Sequence, residues 1–109
     1  AYFLAGLIIE KLSGMSYADY IEKNLFEKVG MPDSDYCSEK TVVKRKVKGY
    51  EYGPDSTLRH KGYIVHAWPY AAGSLCSSVN DLVAWNHALH TGKVVPPASY
   101  QEMITAAVL

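Results

Sequence analysis

The stretch from Ala71 to Trp85 constrains the fold more than any other. Four small residues, Ala71-Ala72-Gly73-Ser74, lead almost directly into a helix start. Ser78 carries an N-cap side chain, and Asp81 three residues later completes a box-like cap. Leu82, Trp85 and Leu89 then recur at helical spacing. The pattern predicts a tight turn feeding an amphipathic helix from about Val79 to His90, ended by Thr91-Gly92. Trp85 should be buried and should anchor that helix against the first helix of the chain.

Three more helices are legible. Residues 1–12 carry only Glu10 and Lys11 as charges, so most of that helix calls for burial, and Ser13-Gly14 stops it. Ser16 opens a second helix to about Lys28, with Asp19 as its capping-box partner. Its apolar stripe is Tyr17, Tyr20, Ile21, Leu25 and Val29, with Gly30 as C-cap and Pro32 barring continuation. A short last helix follows Pro96-Pro97 and includes Tyr100, Met103 and Ile104, since proline fits a first turn whose N–H has no intrahelical partner. Between them lie a loop at 31–40 and a turn of helix around 38–43. A hairpin of 46–52 and 57–65 across Gly53-Pro54-Asp55-Ser56 follows, and then a loop at 66–77.

Four segments of this chain resemble the serine β-lactamase-like family, which includes penicillin-binding proteins and related esterases. Residues 71–85 are similar to its Ala-Ala-Gly-Gly-x-x-Ser-Thr-x-x-Asp-Leu-x-x-Trp signature. Residues 2–17 resemble the Tyr-x-Leu-Leu-Gly-x-Ile-Ile-Glu-x-x-Ser-Gly-x-Ser-Tyr helix that follows the family's Tyr-x-Asn catalytic motif. Leu25–Met31 looks like Ile-Phe-x-Pro-Leu-Gly-Met, with Lys28 in place of the proline, and Lys48-Gly49-Tyr50 like x-Gly-Tyr. The resemblance implies a mainly α fold with a small β-hairpin, the helical lobe of a β-lactamase/transpeptidase-like enzyme. It implies that residues 1–109 are one domain, an internal piece of a larger serine hydrolase that starts just after the catalytic tyrosine motif. The parent would act through an acyl-enzyme on a β-lactam, peptide or ester. The alternative is a non-catalytic binding or interaction module on the same fold. Members are often exported or periplasmic, and this chain shows no signal segment of its own.

The chemistry of such an enzyme needs a serine with a lysine one helical turn later, so that the amine sits beside the hydroxyl. No serine in the 109 residues has a lysine three positions on, and no tyrosine has an asparagine two positions on. Two sequences imitate the missing motifs. Ser78-Val79-Asn80 reads Ser-x-Asn but falls at a helix start, where an N-cap accounts for Ser78. His90-Thr91-Gly92 reads like the Lys-Thr-Gly strand motif but ends an amphipathic helix. The chain is therefore expected to carry no catalytic residue and to be inactive alone.

The resemblance instead points to Trp68–Ser74, which in the family lies along the rim of the active-site cleft. Its candidate substrate-binding residues are Tyr70, Ala72, Gly73 and Ser74. Class C β-lactamases carry a tyrosine immediately before the glycine, where this chain has Ala72. That departure suits an esterase or peptidase-like member as well as a β-lactamase. A loop that merely packs over the helix beginning at Val79 is the plainer alternative.

Charge narrows the partners. Eleven basic and eleven acidic residues cancel, but 36–66 carries seven basic against three acidic. A local basic stretch on a neutral chain, Lys44 to Lys48 with Tyr50 and Tyr52, reads as a solvated hairpin edge rather than a nucleic-acid site. No apolar run approaches the ~18 residues of a membrane span. His87 and His90 lie on one helix without further ligands, so no metal and no cofactor are expected. Cys37 and Cys76 read as two free, partly buried thiols, although an exported protein can pair them. The expected partner is the α/β lobe of the intact enzyme. Helix 1 should otherwise leave an apolar face exposed and drive self-association.

Overall fold

A computed structural model describes residues 1–40 and 42–106. Helix α1 (Tyr2–Ser13) ends at Gly14. Helix α2 (Tyr17–Ile21) runs through a π-helical turn (Glu22–Phe26) into α3 (Glu27–Val29), so 17–29 form one continuous rod. Ser16 Oγ accepts from Asp19 N at 3.1 Å and donates to Asp19 Oδ2 at 2.6 Å, which is the anticipated cap. Glu10 reaches over from α1 and accepts from Tyr17 N at 2.7 Å, satisfying another orphan donor of the same helix end. Gly30 closes the rod at φ +79°, a conformation that glycine adopts without steric cost.

Helix α4 (Val79–His90) starts on Ser78, whose Oγ accepts from Asp81 N at 3.2 Å. Helix α5 (Pro97–Ile104) has its proline at the first position. The expected hairpin exists but is short. Strand β2 (Tyr50–Tyr52) pairs antiparallel with β3 (Leu58–His60), and both strands are exposed on both faces. The helical turn expected around 38–43 includes residue 41, which lies outside the described residues, and its described positions are not helical.

Three expectations are corrected. First, Cys37 and Cys76 are disulfide-bonded, with Cα atoms 5.6 Å apart, rather than free. They are brought together by a pairing hidden in segments that read as loops: β1 (Asp35–Tyr36) runs antiparallel to β4 (Leu75–Cys76). Second, α4 packs mainly on α3 rather than on α1. Its buried positions are Asp81 and Ala88, with Ala84 and Trp85 half-buried between them, while Leu82 is exposed. The inward stripe is therefore rotated from the expected Leu82–Trp85–Leu89 line. Third, α1, whose composition calls for burial over most of its surface, buries only Gly6 fully; Tyr2, Leu4, Ile8 and Leu12 stand open, which is the apolar face expected to be exposed in this chain.

The core is small and aromatic. Tyr17, Ile21, Phe26 and Met31 are buried together, with Ile9, Tyr36, Tyr70 and Trp85 packed around them. Tyrosines carry large apolar area with one polar tip, and they fill the junction between α1, α2 and the loop before β4.

Candidate active-site rim

The loop before β4 contains a turn of 3-10 helix (Tyr70–Ala72) that α1 meets at very short range. A Cβ on Gly6 would stand 2.5 Å from Ala71 Cβ and 2.7 Å from Tyr70 Cε1. Only glycine at position 6 lets the helix backbone approach the turn this closely.

The four candidate residues point in two directions. Tyr70 and Ser74 turn inward. The Tyr70 ring packs against Phe3, Tyr17 and Tyr36, with ring centres 4.9, 5.2 and 6.4 Å away. Its backbone sits at φ +44°, a left-handed conformation that is strained for a bulky side chain. Ser74 is fully buried; its hydroxyl donates to the His66 carbonyl and its own carbonyl accepts from Cys37 N at 2.8 Å. Ala72 and Gly73 face outward. With Tyr2, Ala71 and Leu75 they line a shallow depression of about 320 Å³.

The electrostatics of this corner are unusual. Among the described residues, Tyr70 Oη and His66 Nδ1 are buried side-chain polar atoms without a hydrogen-bond partner. Burial, and after it the nearby Glu10 carboxylate, pushes the Tyr70 phenol well above the ordinary tyrosine range. Tyr17 is raised as well, by burial and by Tyr36. Buried polar groups that lack partners call for an explanation in water, ligand or neighbouring protein.

On α4, Asp81 ties the helix to the chain that precedes β1. Its carboxylate is buried and accepts from Asp33 N at 2.8 Å and from Ser34 Oγ at 2.7 Å. The sequence reading placed Asp81 in a cap and missed this reach across 48 positions. The sole acidic residue of this amphipathic helix was the available signal. The signal for Gly6 was a glycine inside a continuous apolar helix.

The imitations of catalytic motifs are structural elements. Ser78 caps α4, and Thr91-Gly92 ends it, with Gly92 at φ +76° and His90 Nδ1 2.8 Å from Asn86 O. Among the described residues, no three His, Cys, Asp or Glu side chains converge as a metal site would require.

Comparison with known proteins bears directly on this geometry. The beta-lactamase family model matches residues 1–109. Penicillin-binding protein 4* of Bacillus subtilis (strain 168) is 31% identical over 111 residues, covering 90% of this chain and 24% of that protein. The octameric penicillin-binding protein homologue from Pyrococcus abyssi superposes with a TM-score of 0.81 at 33% identity, over 96% of this chain and 24% of that one. The D-amino acid amidase from Ochrobactrum anthropi SV3, solved with L-phenylalanine amide, gives 0.82 at 27% identity, over 93% of this chain and 30% of the amidase. The chain spans between 16% and 26% of the length of the curated relatives it matches. A whole-chain family match, the similarity to penicillin-binding protein 4* and the helical architecture agree: this chain belongs to the serine beta-lactamase-like family of penicillin-binding proteins and related hydrolases.

Proposed function

We propose that this chain is the helical wall of the substrate cleft of a serine hydrolase that works through an acyl-enzyme on a β-lactam, peptide or ester. In this reading Ala72 and Gly73 line the cleft rim, while Tyr70 and Ser74 hold that rim from beneath. The observation that carries it is the strip 70–74 itself. It is locked by a half-buried tyrosine, a buried serine and a glycine-permitted helix contact, yet it presents two small residues to a shallow depression. Small residues on a rigid rim let a planar acyl group approach the backbone closely.

The nucleophile and its base come from elsewhere in this reading, because these 109 residues hold neither Ser-x-x-Lys nor Tyr-x-Asn. The α/β lobe that supplies them also covers the exposed face of α1 and satisfies Tyr70 Oη and His66 Nδ1. Without that lobe, α1 presents enough apolar surface to pair two copies of the chain.

The test is covalent labelling. A fluorescent penicillin and a fluorophosphonate should label no serine of the isolated chain. Stoichiometric labelling of any one serine overturns the assignment of the nucleophile to another part of the enzyme. Light scattering at micromolar concentration should give a species larger than a monomer; a clean monomer overturns the account of α1.

A further inference from the structure

We infer that the Cys37–Cys76 disulfide is the clamp that positions the Gly73–Ser74 end of the Tyr70–Ser74 strip, so that order at this end depends on the oxidation state of the pair. The bond links residues 39 positions apart, and the loop it closes contains the β2–β3 hairpin and the strip itself. The strip is the returning end of that loop. The start of the strip is held by packing, through Gly6 and the Tyr70 ring cluster, but beyond the Ser74 hydroxyl on the His66 carbonyl little else holds its Gly73–Ser74 end. The β1–β4 ladder is two residues long on each side, and two-stranded ladders of that size are marginal in water. Cys37 N extends the ladder by one hydrogen bond to Ser74 O, at 2.8 Å. The bond therefore joins the end of β1 to the residue two positions after Ser74.

The other end of the clamp is itself anchored. Asp33 and Ser34 are held by Asp81 of α4, so the chain from Asp33 to Cys37 is a short span fixed at both ends. Strain in the strip makes the anchor matter. Tyr70 sits at φ +44°, and such a conformation persists only where the surroundings over-determine it. Cys37 is fully buried while Cys76 is partly exposed, so a reductant reaches the bond from the Cys76 side.

The consequence for catalysis rests on the reading of 72–73 as the cleft rim; the clamp itself does not. The full chain is refolded with and without a dithiol reductant. Reduction breaks the S–S bond; the dithiol gives two electrons and two protons to the two sulfurs and closes to its own disulfide. A Cys37→Ala/Cys76→Ala variant provides the same state without reductant. Amide hydrogen exchange is then read residue by residue. Exchange at Cys37, Gly73 and Ser74 should speed at least tenfold in both reduced and variant chains, while the amides of 17–29 keep their protection. Equal protection of the strip in all samples overturns the clamp. Equal loss across α2 and the strip, or failure of the variant to fold, also overturns it, because the bond would then serve the whole core. Benzylpenicillin added to the oxidised chain separates the two readings. Shifts at Ala72 and Gly73 amides support the rim, and their absence counts against the rim while the exchange result decides the clamp.

Discussion

Replacing Gly6 by alanine sets two physical effects against each other. In an ordinary helix interior the change gains about 1 kcal/mol, because alanine loses less backbone freedom than glycine on folding. At this position the new methyl would stand 2.5 Å from Ala71 Cβ and 2.7 Å from Tyr70 Cε1. Carbon atoms settle at roughly 3.5–4 Å, so the 3-10 turn must retreat from α1 by about 1 Å. Ala71 has no torsion with which to move aside, and the Tyr70 ring is hemmed in by Phe3, Tyr17 and Tyr36. Overpacking of this kind typically costs about 1–3 kcal/mol. The net expectation is a loss of about 1 kcal/mol, accompanied by weaker near-ultraviolet circular dichroism from the tyrosine cluster. Urea titration followed by far-ultraviolet signal measures the first and the aromatic spectrum the second. An Ala71→Gly change in the same background should restore part of the loss. A midpoint that rises, as for any exposed helical glycine, would refute the close approach and with it the account of how the strip is held.

Asp81→Ala should destabilise by about 3 kcal/mol, since two hydrogen bonds to a charged, buried acceptor are lost and Asp33 N is left unpaired; a change below about 1 kcal/mol in denaturant titration would mean that the loop before β1 holds itself. Stability should also fall at alkaline pH. The Tyr70 and Tyr17 phenols are raised in the folded chain, so their contribution is intact below the unfolded tyrosine value of about 10 and is lost as pH climbs toward the folded values. Absorbance at 295 nm should show late ionisation that coincides with loss of helical signal and is reduced in Tyr70→Phe; a stability that stays level through this range would contradict their burial.

Much of the helical framework was determined within a few residues of chain. Ser16 with Asp19, Ser78 with Asp81, and the left-handed glycines at 30 and 92 act across one turn, so the sequence alone placed α1, α4, α5 and the rod from 17 to 29. The same locality placed the strip 70–74 through the small-residue turn that precedes α4. What tertiary structure decided lies at longer range. The Cys37–Cys76 bond and the β1–β4 pairing join segments that separately have no strand pattern, because two-residue strands are too short for alternation to register. The inward face of α4 was also settled by packing. Asp81 turns in because its carboxylate finds Asp33 and Ser34, and Leu82 turns out as a result. Tyr70 was singled out by the resemblance, but the inward turn of its half-buried ring was not legible. Its inward ring follows from the proximity of Gly6 and Tyr17, two contacts made by helices that pack together only in the folded chain.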